Sequence, residues 1–201
     1  MKSFKKQFGF STMEMLVAVT IFAIVVTVVT STFIWIIRSK EKTETLTKVE
    51  QDARFTLDTI ARTVRERFID YNAYAGGETS DTICSTINLE DPSQNPVQII
   101  CLLGEENNSD PFVIQYKPED NEITYGYDPI FDIITPEDID ITSFYAYISP
   151  TSSPYFLANN PQGSITIVIE ATAPNYPDMS SESVHLQTTV SARDYTRAPK
   201  E

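Results

Sequence analysis

An uncharged apolar run near the N-terminus limits what this chain can fold into more than any other feature. Residues 15–37 read MLVAVTIFAIVVTVVTSTFIWII and contain no charged residue, no Pro and no Gly. A helix of this length spans about 35 Å, enough to cross the ~30 Å hydrocarbon core of a bilayer. Its Ser and Thr hydroxyls can donate to carbonyls one turn earlier, so they do not disqualify it. The run predicts a transmembrane helix, and the 201-residue chain leaves room for one exported domain beside it.

The residues around the apolar run do not fit an ordinary secretory signal. Such a signal has a shorter apolar core that ends in small residues at a cleavage site, whereas this run ends at Trp35 and is followed by Arg38. Small and polar residues instead precede the run, from Gly9 to Glu14. Charge counting gives no clear orientation, because basic residues flank both ends of the run: Lys2, Lys5, Lys6, Arg38, Lys40 and Lys42.

The segment KKQFGFSTMEMLVAVTIFAIVV resembles the class III signal sequences of type IV pilins and type II secretion pseudopilins. The shared features are a basic leader that ends at Gly9, a mature chain that begins at Phe10, and Glu14 four residues later. The resemblance implies cleavage after Gly9 and N-methylation of Phe10 by a prepilin peptidase/N-methyltransferase. It also implies a cytoplasmic N-terminus, an inner-membrane assembly platform, and other pilin or pseudopilin subunits as partners, with membrane lipid around the helix before assembly.

Glu14 can also be interpreted from its position at the edge of the apolar run. A carboxylate there costs on the order of a few kcal/mol unless it reaches water or meets a cation. Cleavage after Gly9 would create such a cation, the amine of Phe10, at a similar depth. Pairing of Glu14 with the Phe10 amine of a neighbouring subunit would satisfy both charges and set the axial stagger of the two helices. The alternative is a Glu that only marks the interface end of a plain membrane anchor.

The helical pattern continues past the apolar run. Residues 39–71 contain no Gly or Pro, and charged side chains fill one face, with Asp58 and Arg62 placed for an i,i+4 ion pair. Apolar side chains recur at helical spacing at Leu46, Val49, Ala53, Leu57, Ile60, Val64 and Phe68. We therefore predict one helix of about 55 residues, roughly 80 Å long, whose amphipathic half covers residues 38–72. A long coiled coil is the alternative, and it suits the strand-rich sequence that follows less well.

Alternating apolar residues and turn-forming linkers predict strands from residue 83 onward. The predicted strands are Ile83–Leu89, Val97–Leu103, Phe112–Lys117, Glu122–Tyr127, Ile141–Ser149, Ser164–Glu170 and Val184–Ser191. The segments ITSFYAYI and SITIVIE alternate most clearly and give one apolar face. An antiparallel sheet packed on the amphipathic half of the helix follows, which predicts a pilin-like α+β fold with a β-rich exported domain at residues 73–201.

Cys84 and Cys101 are the only cysteines, and both follow the membrane segment. An even count in an exported domain favours one disulfide where the compartment is oxidising. Folding the first two predicted strands into a hairpin about residues 92 and 93 places Cys84 opposite Cys101, within disulfide range. The closed loop of about 18 residues would contribute on the order of 3 kcal/mol. Two buried free thiols are the alternative.

Composition argues against most enzymatic and nucleic-acid-binding roles. The net charge is −13, and loss of three of the 15 basic residues with the leader would leave 12 against 28 acidic ones, a surface that repels phosphate backbones. His185 is the only histidine and no CxxC pair exists, which leaves little material for a zinc site or a histidine-based triad. We predict no enzyme activity, no cofactor or metal, and no direct nucleic-acid partner.

Two groups of residues allow a functional interpretation beside a structural one. The acidic clusters 105–110, 119–122 and 137–140 suggest calcium, but none follows the EF-hand pattern, so we interpret them as solvated loops. Several aromatic residues suggest a recognition surface, although strand positions more often pack in the core or across strands. These are Tyr125, Tyr127, Phe144, Tyr145 and Tyr147.

The plan of the whole chain is similar to the minor members of the pilin family. QDARFTLDTIARTVRERF resembles the Arg-rich stretch after the span in PilW-like minor pilins and J-type minor pseudopilins, and SITIVIE with VHLQTTVSARDY is similar to their closing strands. The resemblance implies a minor subunit with a leader at 1–9 and a transmembrane, filament-core helix at 10–37. It would reside in the cytoplasmic membrane and then in an extracytoplasmic filament. An adhesive or DNA-uptake subunit, and an uncleaved membrane-anchored domain, are the alternatives.

Overall fold

The computed structural model describes residues 11–74, 83–84, 87, 89, 96–103, 111–152, 162–174 and 182–192. Its helices and strands are α1 Thr12–Glu66, α2 Tyr71–Tyr74, β1 Ile99–Leu102, β2 Phe112–Lys117, β3 Glu122–Tyr127, β4 Ile130–Ile133, β5 Asp140–Ser149, β6 Ser164–Thr172 and β7 Val184–Ser191. The chain divides into two units, and the division falls inside α1 between Glu44 and Thr45. The predicted α+β class is confirmed: a long N-terminal helix is combined with antiparallel sheets, as in a pilin-like arrangement.

The part of α1 that belongs to the second unit buries one stripe of side chains. The buried residues are Thr45, Val49, Ala53, Thr56, Leu57, Ile60, Ala61 and Val64. Five of these are the apolar positions that the sequence periodicity predicts, and each fully buried Leu, Ile or Val side chain stabilises the fold by roughly 1.5–3 kcal/mol. Thr56 is tolerated in this stripe because its hydroxyl donates to the Asp52 carbonyl at 3.1 Å.

The ion pairs on the exposed side of α1 differ from the predicted one. Arg54 donates to Glu50 at 2.6 Å, one turn earlier, whereas Asp58 and Arg62 form no ion pair in this described part of the helix. Exposed i,i+4 pairs contribute only about 0.3–0.5 kcal/mol. The helix therefore depends on its buried stripe far more than on either pair.

The helix α1 ends at Glu66, before the predicted end near residue 72. The chain becomes extended there because it hydrogen-bonds to the edge of β1. The Leu103 N–H donates to the Phe68 carbonyl at 2.8 Å, the Asp70 N–H donates to the Cys101 carbonyl at 3.0 Å, and Ile69 forms an isolated bridge with Leu102. These hydrogen bonds replace the next helical turn.

The short helix α2 completes the cover over the outer edge of β1. Asp70 caps it, since its Oδ1 accepts hydrogen bonds from the N–H groups of Asn72 and Ala73, both at 3.1 Å. Tyr74 is fully enclosed, and its hydroxyl donates to the Ile99 carbonyl at 3.1 Å and accepts from the Cys101 N–H at 2.7 Å. Segment 68–74 thus satisfies backbone groups that would otherwise be an unpaired sheet edge.

The described strands form two antiparallel sheets where the sequence predicts one. Their orders are β1-β2-β3-β4 and β5-β6-β7. Val97, just before β1, links the sheets through two reciprocal hydrogen bonds with Ala146 of β5, at 2.8 and 2.9 Å. Buried residues from α1 and from both sheets belong to a single apolar core, which includes Ile60, Ile114 and Ile167.

The strand predictions succeed where apolar alternation is long. The bounds of β2, β3 and β7 are as predicted, and β5 and β6 differ only at their ends. The predicted strand Ile83–Leu89 is wrong, because its described residues lie in turns and irregular backbone. The sequence analysis did not predict β4, a four-residue strand, because it follows β3 after only two residues and shows little alternation.

A disulfide joins Cys84 to Cys101, as predicted, but not across a hairpin. Cys101 lies in β1 opposite Val113 of β2, whereas Cys84 lies outside any strand, with a Cα–Cα distance of 6.3 Å between the two cysteines. Both residues are fully buried. The bond therefore ties the segment that precedes the first sheet to that sheet's first strand.

Removal of the disulfide tests its contribution to stability. The bond closes a loop with a sequence separation of 17, and we expect Cys84→Ser/Cys101→Ser to lower the free energy of unfolding by about 3 kcal/mol. Urea unfolding followed by circular dichroism measures this. Reduced wild-type protein is the control and should unfold at nearly the same urea concentration as the variant. Equal stability of oxidised and reduced wild type would contradict the expectation.

Asp70 should make stability depend on pH. Burial raises the pKa of its carboxyl, although hydrogen bonds from Ala73 and Asn72 oppose the shift. A raised folded-state pKa means that the folded state favours the protonated form of Asp70. The resulting stabilisation of the fold is fully present below the unfolded-state pKa and is lost as pH rises through the folded-state pKa. Asp70→Asn keeps the cap but cannot ionise. We expect the stability of wild type relative to Asp70→Asn to fall as pH rises from about 3 to 7.

Asp70→Ala is the matched control for the cap itself. It should be less stable than Asp70→Asn by about 1 kcal/mol at every pH, because it loses the hydrogen bonds to the start of α2. Urea unfolding at a series of pH values measures both comparisons. A wild-type to Asp70→Asn difference that is constant with pH would show that Asp70 does not titrate as the buried geometry requires.

Candidate membrane and assembly segment

The start of α1 places Glu14 in a capping arrangement. The helix begins at Thr12, and the N–H of Ser11 donates to Glu14 Oε2 at 3.4 Å while the Ser11 hydroxyl accepts from the Met13 N–H at 3.4 Å. This arrangement is close to a capping box, with Ser11 as N-cap and Glu14 at the third helical position, although the Ser11 hydroxyl accepts from the second helical residue and not from the third. Both distances are long, so each bond is weak. The Ser-Thr-Met-Glu sequence carries this signal, which the sequence analysis missed.

The cleavage residues Gly9 and Phe10 lie outside the described residues. The exposed carboxylate of Glu14 belongs to the first described turn of the helix. Its pairing with a Phe10 amine therefore stays a prediction.

The apolar half of α1 is exposed along its whole length. Every residue from Ser11 to Glu44 is exposed, and the large side chains of Phe22 and Trp35 are 69% and 70% accessible. Leaving so many apolar side chains in water is strongly unfavourable. A buried core helix of a soluble protein would show the opposite pattern, and the exposed apolar surface of this segment suits a membrane span.

The hydroxyls within the apolar segment are satisfied by their own helix, as predicted. Thr20 donates to the Leu16 carbonyl at 2.8 Å, and Thr27 donates to the Ala23 carbonyl at the same distance. The same type of bond is made by Thr30, Ser31 and Thr32. Such bonds let hydroxyl groups enter a bilayer without unpaired donors.

Among the described helices, α1 is the one long and apolar enough to cross a membrane, judged by length and composition. None of its apolar window is buried within the protein. The segment is therefore compatible with a single membrane span near the N-terminus. A signal sequence near the N-terminus meets the same criteria of length and composition. The processing of the leader therefore distinguishes a signal sequence from a membrane span.

Some of the aromatic residues named in the sequence analysis are packed against other side chains, and others are exposed. Phe144 is fully buried, while Tyr145 and Tyr147 are 40% and 45% exposed on the same strand. Tyr125 and Tyr127 make edge contacts with Phe112, at centroid distances of 5.8 and 5.1 Å.

The sequence analysis missed Arg67, which stacks on the aromatic cluster around Phe112. Its guanidinium lies 4.1 Å from the centre of the Phe112 ring and donates to the Tyr127 hydroxyl at 3.0 Å. Contacts of this kind stabilise by roughly 0.5–2 kcal/mol. The cluster joins the chain just beyond α1 to strands β2 and β3, which is a structural role.

The acidic clusters show no metal-binding geometry in the described part of the chain. No group of three or more His, Cys, Asp or Glu side chains there could hold a metal ion. In the cluster 137–140, Asp138 forms an ion pair with Lys48 of α1 at 2.6 Å. The cluster 105–110 lies outside the described residues.

His185 contacts an acid and a hydroxyl, but not in the manner of a catalytic triad. Its Nε2 lies 3.6 Å from Glu170 Oε1 and 3.1 Å from the Ser183 hydroxyl. A relay needs the acid and the serine on opposite ring nitrogens, whereas here both approach the same one. The Ser183 hydroxyl, and then His185, lowers the pKa of the Glu170 carboxyl. The arrangement is an exposed cross-strand cluster on β6 and β7.

Comparison of the chain with protein-family models, with curated proteins and with solved structures finds no match. Assignment to a family is therefore a proposal that rests on the leader motif and on the fold.

Proposed function

We propose that this chain is a minor pilin or pseudopilin, a structural and non-enzymatic subunit of a type IV pilus-like or type II secretion filament. One observation carries the proposal. The apolar first part of α1 is exposed along its whole length and follows a leader-like sequence that ends at Gly9, while the second part of α1 packs in a sheet domain. A helix of this kind needs lipid before assembly and neighbouring helices after it.

Assembly in this proposal is lateral packing of helices. After cleavage behind Gly9, the span holds the subunit in the cytoplasmic membrane until the assembly platform brings it to the growing filament. Apolar side chains of α1 then exchange lipid for side chains of other subunits, which costs little because both surroundings are apolar. The charged pair of Glu14 and a neighbour's Phe10 amine supplies the axial register, since charge-assisted contacts are strong where water is scarce.

An uncleaved membrane anchor is the second candidate, and the capping geometry favours it. Glu14 already has a local partner in the Ser11 N–H, so its presence at the membrane edge does not by itself require a neighbouring amine. In that case α1 would only tether the sheet domain. The two candidates make opposite predictions about the leader.

The mature N-terminus tests the proposal directly. We expect mass spectrometry of the protein from membranes of a cell that makes it to find a chain that begins at N-methylated Phe10. The loss of residues 1–9 also removes three lysines, which an isoelectric shift would show independently. Gly9→Leu is the control and should leave the leader attached. An intact Met1 leader on wild-type protein would remove the proposal and leave the anchor.

Glu14 variants separate charge pairing from capping. Under the proposal, Glu14→Ala and Glu14→Gln both insert into the membrane and are cleaved, but both enter filaments at least about tenfold less, because neither can pair with an amine. Gln still suits the capping box. The measurement is the amount of subunit in sheared or secreted filaments relative to the membrane pool.

Ser11→Ala is the matched control because it removes the hydroxyl of the cap and leaves the carboxylate. It should enter filaments at close to the wild-type level. Normal incorporation of Glu14→Gln, with loss in Glu14→Ala and Ser11→Ala, would assign Glu14 to capping and refute the pairing mechanism.

A further inference from the structure

Strand β4 is the last strand of the four-stranded sheet, and its outer edge is open in the described part of the chain. It pairs with β3 alone, through the register Thr124 to Ile133 and Tyr127 to Ile130. The opposite edge of the same sheet, at β1, is covered by segment 68–74. The edge of the sheet at β1 is therefore covered by hydrogen-bonded backbone, whereas no described segment covers the edge at β4 in this way.

The hydrogen-bond register shows which peptide groups point outward. The Ile134 N–H donates to the Ile123 carbonyl at 2.9 Å, and bonded and non-bonded positions alternate along an antiparallel pair. Asp132 and Ile130 therefore bond to β3. The N–H and C=O groups of Phe131 and Ile133 point away from the sheet, which is the pattern that an added strand requires.

The side chains on this edge are unusually apolar for an exposed position. Ile130 is 75% exposed and Ile133 is 59% exposed, whereas Ile100, Ile114 and Ile123 of the same sheet are buried. Successive side chains in a strand point to opposite faces, so each face of β4 carries one exposed isoleucine. A strand laid along β4 would cover both.

The negative charge on the edge of β4 restricts which side chains a partner strand can carry. Asp132 is exposed and shares a face with Ile130, and Asp128 precedes the strand. A second copy of β4 would bring further aspartates close to these, and like charges on paired strands repel. A lysine or arginine opposite Asp132 would be favourable instead.

We propose that β4 is a docking edge for an extended segment of a partner protein, one that places basic side chains opposite Asp132 and apolar side chains over Ile133. The partner strand adds to the sheet beyond β4 through the outward peptide groups of Phe131 and Ile133. This inference uses neither the leader nor α1, so it stands independently of the proposed filament role.

Two synthetic peptides of the same apolar pattern test the edge, TKVKVKVT and TEVEVEVT. We expect the lysine peptide to bind full-length protein in zwitterionic micelles about tenfold more tightly than the glutamate peptide, measured by fluorescence anisotropy at 150 mM salt. Asp132→Lys should reverse this preference. Glu119→Lys makes the same charge change in the turn after β2 and should alter lysine-peptide binding by less than about twofold.

Ile133→Pro tests the strand pairing without changing any charge. The Ile133 N–H points outward, so proline there removes a donor for the added strand and no bond to β3. We expect about tenfold weaker binding of the lysine peptide, with an unchanged circular dichroism spectrum. If Ile133→Pro does not fold, Asp132→Lys decides the question alone.

Three results would overturn the proposal. They are no binding of either peptide, equal binding of both, and binding that Glu119→Lys weakens as much as Asp132→Lys. The last result would assign the attraction to the general acidity of the chain.

Discussion

The burial of one stripe of α1 is the interaction on which the sheet domain depends. Ile60 and Val64 are completely enclosed, and they share a single core with residues from both sheets. Among the described residues, the sheets are also joined by the Val97–Ala146 bridge and by two hydrogen bonds of Ile141 in β5, with Asn121 and with the Tyr116 hydroxyl. The helix adds its buried stripe to the core that the two sheets share, since neither a three- nor a four-stranded sheet has a large core of its own.

The sequence predicts those parts of the fold that follow from local periodicity. Residues such as Val49, Ala53 and Leu57 repeat at helical spacing, and β2, β3 and β7 alternate clearly, so their positions are readable without tertiary information. The end of α1 is different. No Gly or Pro stops the helix at Glu66, and it stops because the edge of β1 offers hydrogen bonds to Phe68 and Asp70, a long-range cause. The strand β4 was not predicted for a different reason, because its four residues carry too little alternation.

The features of the candidate sites also divide into those that follow from local sequence and those that depend on tertiary contacts. The apolar run and its self-bonded hydroxyls are local properties, and the sequence predicts both. The disulfide was predicted correctly from cysteine count and compartment, but the hairpin geometry offered for it was wrong, because Cys84 lies in no strand. The count of two cysteines is enough to predict the partners, whereas the position of each cysteine relative to the strands needs the tertiary fold. The stacking of Arg67 on Phe112 could not be predicted, since it joins residues distant in sequence.

The capping bond of Glu14 and its proposed pairing with the Phe10 amine do not exclude each other. A carboxylate has two oxygens with about four acceptor positions, and the capping bond uses Oε2 at a long 3.4 Å. Oε1 therefore has capacity for a second donor. Because the cap orients the carboxylate at the helix start, it would lower the entropy lost when an amine from another subunit binds there. In the proposed filament, Glu14 would therefore cap its own helix first and then bind the start of the next one.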